Sequence, residues 1–249
     1  MRIAVAGGTG TVGAHVVTVA RRRGHEPLTL SRAGGVDLRT GESVSQMLAG
    51  AEVVIDVLSV PTTAAARSAD FFRATTTTLL TAERAAGTPH HVALSIVGVD
   101  RAPDGYYAGK LVQEKLVETG PVPWTILPAT QFHEFAAQMF ERARIGPLHL
   151  APRMRTQPIA AIEVAERLID IAEAGPSGRA EAAAGPREED LPAMIRAYAR
   201  IRGHRGPIPA LPFPGGMGRA QRDGSLLPGA GAILGRQTFG EWLSAQPAG

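Results

Sequence analysis

Cysteine is absent from this 249-residue chain, which excludes a disulfide scaffold, a cysteine-ligated zinc site, an iron–sulfur cluster and thiol catalysis. Long apolar runs are missing as well. The best candidate, residues 53–60, is far short of the roughly 18 residues a membrane span needs, and it contains Asp56. Arg2 is followed by only four apolar residues before Gly7-Gly8, too few for the apolar stretch of a signal peptide. The expected location is therefore the cytoplasm, with no membrane partner. Excess charge is also scarce. The formal net charge is +3, and residues 201–249 account for it with five arginines against two acidic residues. The rest of the chain is neutral. A surplus so thin gives no dense basic patch, and a nucleic-acid partner is not expected.

What is present is apolar. Hydrophobic residues make up 44% and charged residues 20%, a balance that excludes disorder over most of the length. The length suits one large α/β domain or two small ones, with ample material for a core. Residues 2–6 read as a short buried strand that runs into a glycine-rich turn. Val12, Val16, Val17 and Val19 then follow helical spacing up to Arg21-Arg22-Arg23-Gly24, a basic helix end that the dipole favours. Residues 27–30 predict a second strand and 43–48 a short helix. The β-branched run 52–59 suits a parallel strand buried on both faces. A long helix over 65–86, a strand over 91–97, a helix over 106–118 and a strand over 124–127, stopped by Pro128, continue the alternation. Strands alternating with helices in this way mean a parallel sheet with helices on both faces. Beyond Pro128 the spacing predicts helices over 132–143, 162–174 and 190–201, and a last short helix around Trp242. Residues 203–235 are rich in Gly and Pro and show little periodicity.

The first strand runs into Gly7-Gly8-Thr9-Gly10-Thr11-Val12-Gly13. Glycines allow positive φ and close approach of a ligand, and the helix that follows presents free N–H groups to a phosphate. A Gly-x-x-Gly-x-x-Gly alone says little, but between a strand and a helix at the start of a β/α chain it points to a dinucleotide. The second strand ends in Ser31-Arg32, with no carboxylate to accept from a ribose 2′-hydroxyl. A hydroxyl and a guanidinium suit a 2′-phosphate, so NADP(H) is the expected cofactor. Asp37-Leu38 could contact the adenine. Further on, Ser95 closes the fifth strand, and Tyr106 and Lys110 lie four apart, on one helix face. A phenol that passes a proton to a carbonyl oxygen, an ammonium that lowers the phenol pKa, and a serine that holds the substrate oxygen suit hydride transfer. Tyr107, three residues before Lys110, competes for the phenol role. His90-His91 reads as a surface pair at a strand entry, its rings facing opposite ways, and no metal site is expected.

The glycine turn, Ser95-Ile-Val-Gly98, Tyr107-x-x-Lys110-x-x-x-Glu114 and Trp124-Thr-Ile-Leu-Pro-Ala-Thr-Gln-Phe132 together resemble the atypical short-chain dehydrogenase/reductases of the NmrA-like group. Thr156-Gln-Pro-Ile159 and Gly185-Pro186 fit the same pattern, and the resemblance covers nearly the whole chain. It implies a doubly wound α/β fold with a parallel Rossmann sheet and a small C-terminal substrate lobe. Residues 1–130 would form the dinucleotide-binding core and 131–249 the lobe, packed on the core as one structural unit. It also implies roles. Gly7, Thr9, Gly10, Thr11, Val12 and Gly13 would hold the pyrophosphate, and Ser31 and Arg32 the 2′-phosphate. Leu58, Ser59 and Val60, after the fourth strand, would line the path to the nicotinamide. Lys110 would contact the nicotinamide ribose, and the turn of Pro128, Ala129 and Thr130 would back the nicotinamide. Tyr107, Phe132 and His133 would lie on the substrate side. Members of the group often carry Arg where this chain has Pro128. The implied function is an NADP(H)-dependent reductase of a small aromatic, quinone or carbonyl substrate. The alternative is a regulator that senses NADP(H) and binds a protein partner without turnover. Substrate identity, reaction direction and a homodimer stay open.

Overall fold

A computed structural model describes residues 1–31, 34–41, 44–146 and 148–247. Arg32 and Ser43, both part of the expectations above, lie outside these residues. The chain begins β1 (Arg2–Ala6), α1 (Thr11–Arg22), β2 (Glu26–Leu30), α2 (Val44–Met47), β3 (Val53–Asp56), α3 (Ala65–Ala86), β4 (His91–Ile96), α4 (Tyr106–Glu118) and β5 (Trp124–Ala129). It continues α5 (Glu134–Arg142), β6 (Arg144–Ile145), β7 (Leu148–His149), β8 (Ala151–Pro152), β9 (Arg155–Thr156), α6 (Ala161–Ala174), β10 (Gly178–Arg179), β11 (Ala183–Ala184) and β12 (Glu189–Asp190). It ends α7 (Leu191–Ile201), β13 (Ala210–Leu211), α8 (Gly215–Asp223), β14 (Ile233–Leu234) and α9 (Phe239–Ser244).

Two compact units result: Met1–Pro128 with Ile162–Glu181, and Ala129–Ala161 with Ala182–Gly249. The expected boundary at residue 130 is therefore corrected in one respect, because residues 162–181 return to the first unit. Ion pairs within that unit accompany the return. Glu166, Asp170 and Glu173 on α6 pair with Arg22, Arg23 and His25 at the end of α1, each at 2.7 Å. Arg179 of β10 pairs in parallel with Ile126 of β5. The basic helix end thus serves α6 as well as its own dipole.

The first unit is built on strands in the order β2-β1-β3-β4-β5-β10. β1 pairs in parallel with β2 and β3, β3 with β4, and β5 with β10. Every residue of β3 is buried, as its apolar sequence predicts for a strand covered on both faces. α1 lays Val12, Val16, Val17 and Val19 against the sheet. Leu30, Val36, Leu38, Val44, Leu48, Val54 and Leu79 fill one core layer. Among the described residues no strand forms between β2 and β3, so the strands expected as fourth and fifth are the third and fourth. α3 and α4 touch backbone to backbone. A Cβ at Gly109 would fall 2.2 Å from Ser68 Oγ and 2.5 Å from Ser68 O, which explains the glycine next to Lys110.

In the second unit α5 packs on α7, β12 pairs antiparallel with β9, and β13 in parallel with β8. Asp190 caps α7 by accepting from Ala193 N at 3.0 Å, and Thr238 and Glu241 form a capping box on α9. Residues 203–235, which show little periodicity, contain α8, β13 and β14. These are too short to leave a repeat in the sequence. Among the described residues no helix is long and apolar enough to cross a membrane.

Candidate active site

The turn between β1 and α1 is the most constrained backbone in the first unit. Gly7 has φ +85°, a conformation that L side chains rarely adopt, and a Cβ there would fall 3.1 Å from Val57 O. A Cβ at Gly13 would fall 2.1 Å from Gly7 O and 2.7 Å from Gly8 Cα, both backbone atoms. Gly10 N donates to Gly7 O at 2.9 Å and closes the turn. In α1 the first amide to bond back is Ala14 N, to Gly10 O at 3.0 Å. No side chain caps the amides ahead of it. Thr9, Gly10 and Thr11 are exposed, whereas Val12 and Gly13 are buried. The result is a cradle open to backbone donors, closed to any Cβ at Gly13 and placed at the positive end of a 12-residue helix. These features fit a dinucleotide pyrophosphate.

At the end of β2, Ser31 Oγ accepts from Gly34 N at 3.2 Å. Asp37 is exposed and accepts from Arg39 N at 2.9 Å. Leu38, expected beside the adenine, is a core side chain instead, buried with Leu30 and Val36. After β3, Leu58 is half-buried, with its N–H on Asp56 Oδ1 at 3.0 Å. Ser59 is exposed and Val60 half-buried, in a loop that begins beside Gly7.

Beneath this turn lies a buried polar network. Asp56, the last residue of β3, is 0% exposed and accepts from Gln113 Nε2 at 2.7 Å. Gln113 Oε1 in turn accepts from Lys110 Nζ, which also donates to Leu94 O at 2.5 Å. The Phe72 ring centroid is 4.7 Å from the same ammonium. Lys110 is 3% exposed, and burial lowers its pKa to about 8 against the opposing charges of Asp56 and Glu114. Tyr106 sits one helical turn before it, its ring edge-on to Phe72 at 5.7 Å. Its phenol pKa is raised, first by burial, then by Asp56 and Tyr107. The expected lowering by Lys110 is therefore corrected: desolvation and a nearby carboxylate outweigh the ammonium. Ser95 Oγ is buried and unpartnered. Tyr107 is half-buried at the start of α4.

Asp56 and Gln113 escape a motif search, although the lone acid in the apolar run 53–60 and a Gln three residues after Lys110 are visible signals. The reading of His90-His91 as a surface pair is also corrected, because both rings are buried. His91 Nδ1 lies 2.9 Å from Glu83 Oε1, and His90 Nε2 lies 3.0 Å from Thr125 Oγ1. Burial disfavours charge on both rings. Glu83 nevertheless raises the His91 pKa, whereas that of His90 falls to about 4. Among the described residues no group of three or more His, Asp or Glu suits a metal ion.

Other expected site residues fall near the end of β5 and in the second unit. β5 runs through Pro128 to Ala129, so this segment is a strand end and not a turn. Ala129 is buried and pairs with Ala183. Thr130 donates from N to Ala183 O at 2.9 Å and from Oγ1 to Gln157 O at 2.6 Å. Phe132 is half-buried and bridges to Ile159. His133, expected on the substrate side, is 0% exposed. Its Nε2 lies 3.1 Å from Gln237 O, and Phe239 and Trp242 cover its ring, so it lines no open cleft.

Known structures resemble this chain in fold. The chain is similar to Thermus thermophilus UDP-glucose 4-epimerase complexed with NAD, at 19% identity, 88% coverage of each chain and a TM-score of 0.68. It is similar to Bifidobacterium longum UDP-glucose 4-epimerase complexed with NAD+ and UDP, at 13% identity over 98% of this chain and 96% of that one, with a TM-score of 0.71. An Agrobacterium tumefaciens protein of the short-chain dehydrogenase/reductase superfamily, with bound NAD, matches at 19% identity over 98% and 95%, with a TM-score of 0.66. No family model and no curated protein matches the chain. At these identities the likeness shows the fold, a Rossmann-type parallel sheet flanked by helices.

Proposed function

We propose that this chain is an NADP(H)-dependent oxidoreductase of the short-chain dehydrogenase/reductase type, acting on a small carbonyl, quinone or aromatic substrate. The observation that carries the reading is the Gly7–Gly10–Gly13 cradle at the N-terminus of α1. The motifs quoted from the sequence favour the NmrA-like group within that superfamily. The amides of Thr11, Val12 and Gly13 would hold the pyrophosphate, Ser31 and Arg32 the 2′-phosphate, and Leu58, Ser59 and Val60 the path beyond. A bound nicotinamide supplies or accepts the hydride. Tyr106 is protonated at neutral pH, as a donor to a substrate oxygen must be, and its raised pKa extends that state to higher pH. Lys110 has one N–H beyond the two given to Leu94 O and Gln113, and that donor is assigned to a ribose hydroxyl. The unsatisfied hydroxyl of Ser95 costs free energy inside the protein, and holding the substrate oxygen would offset that cost.

The test is a titration of NADPH and NADH against the purified protein, followed by nucleotide fluorescence. NADPH should bind at least about tenfold tighter, roughly 1.4 kcal/mol, and Arg32→Glu should narrow or invert the ratio. A preference for NADH overturns the 2′-phosphate reading, and binding of neither overturns the oxidoreductase. With an accepted substrate in hand, Tyr106→Phe should cut turnover by about two orders of magnitude while NADPH binding survives. Unchanged turnover removes Tyr106 from the chemistry. One observation favours the alternative of a cofactor-responsive regulator: the Lys110 ammonium is already engaged inside the protein. That reading predicts NADPH binding with no oxidation by any quinone or carbonyl acceptor.

A further inference from the structure

The second unit contains a cleft of about 330 Å³ with four arginines among its lining residues. They come from separate parts of the chain: Arg153 between β8 and β9, Arg155 on β9, Arg196 on α7 and Arg222 on α8. Arginine as a residue type carries little weight here, because 24 of the 26 basic side chains are arginine. Their gathering from four elements onto one wall carries the weight. All four are exposed, and together they make a positively charged surface that attracts an anion.

Each guanidinium is anchored within the protein and leaves donors over. Arg196 gives Nε and Nη2 to Ile208 O at 3.1 and 2.9 Å. Arg222 gives Nη1 to Phe213 O at 2.9 Å, and Arg153 gives Nε to Ala210 O at 3.3 Å. Arg155 is the one with a carboxylate partner, since its Nε and Nη2 meet Glu188 at 2.6 and 2.9 Å. Arg153, Arg196 and Arg222 form no ion pair among the described residues. The acid on the cleft wall, Asp190, already serves as the cap of α7. Asp223, which acts on Arg155 from outside the cleft, accepts from Ser225 N and Oγ. Backbone carbonyls thus fix three forks without neutralising them, and their remaining N–H groups are donors in excess.

We infer that this cleft binds a small phosphate monoester. Arg153, Arg196 and Arg222, none of them ion-paired among the described residues, outnumber the one acid on the cleft wall, and their planar forks match pairs of phosphate oxygens. Met154, Pro192 and Ala210 supply apolar wall for the organic part. The volume is that of a small-molecule site. The inference is independent of the dinucleotide reading, because every residue it uses lies in the second unit.

The experiment is calorimetric titration of the full chain with phenyl phosphate, inorganic phosphate and benzoate in 150 mM salt. Phenyl phosphate should bind saturably at one site per chain, with benzoate at least about tenfold weaker. Arg153→Gln and Arg222→Gln should each weaken phenyl phosphate about tenfold to a hundredfold. Arg222→Lys, which keeps the charge but loses the fork, should fall between. Thermal unfolding of each variant reads out the fold, and NADPH affinity should stay at the wild-type value. Absence of saturable binding overturns the inference, as do variants that bind phenyl phosphate as well as wild type. Benzoate binding as tight as phenyl phosphate overturns the choice of a phosphate. Parallel loss of NADPH affinity overturns the separate site, since the cleft would then be reading the dinucleotide.

Discussion

Gly13→Ala is expected to abolish NADPH binding and to destabilise the first unit. The added Cβ would stand 2.1 Å from Gly7 O and 2.7 Å from Gly8 Cα, with no flexible side chain to move aside. Either the turn opens or α1 shifts along its axis, and both displace the amides that face a pyrophosphate. Overpacking of this kind costs about 3 kcal/mol, the upper end of its usual range. NADPH affinity should drop beyond about a hundredfold, because every phosphate contact depends on the same backbone. Gly10→Ala is the graded control. Its Cβ would meet Gly7 O at 3.3 Å, a tight contact that a small adjustment relieves. That variant should keep its urea midpoint near wild type and lose only part of its affinity. If Gly13→Ala bound NADPH like wild type, the cradle would be a structural turn only.

The same comparison explains which parts of this protein are legible in its sequence. The glycine turn is legible because its requirement is local: a positive φ and a close backbone contact are satisfied by the residue type itself. The Tyr106–Lys110 pair is legible because helical spacing places both on one face. The environment of that pair is not. Asp56 and Gln113 meet across 57 positions, and Glu83 reaches His91 of β4 from the helix before it, α3. A sequence read by windows sees His90-His91 as two polar residues at a strand entry, because it cannot see the acid and the hydroxyl that make their burial tolerable. His133 fails for the same reason. The segment that covers it lies 104 residues away. The return of residues 162–181 to the first unit brings acidic residues of α6 to the basic end of α1, a match that neither helix shows alone.

The buried network gives the second large effect. Asp56→Ala removes the charge that helps keep Lys110 protonated, and it leaves Gln113 Nε2 and Leu58 N without their acceptor. Lys110 would then be a buried cation with one of its two compensating carboxylates gone, and each buried donor left unsatisfied costs about 1–3 kcal/mol. Urea unfolding at pH 7 checks this, and a midpoint within error of wild type would show that the carboxylate is not coupled to Lys110. Asp56→Asn keeps the shape and separates charge from packing. Burial holds the Lys110 pKa at about 8, below its unfolded value of roughly 10.4, so the folded state gives up its proton first. Stability therefore rises with pH between those two values, and the benefit is lost as pH falls through 8. Lys110→Met should flatten that rise. In turnover the sign reverses. If the ammonium is the working form, the rate falls as pH climbs above about 8, and Asp56→Asn moves this alkaline limb to lower pH. Tyr106 cannot produce such a limb, since its pKa is shifted upward. A limb that stays at the same pH in Asp56→Asn would separate Lys110 from the rate and leave it as a buried brace between α4 and β4.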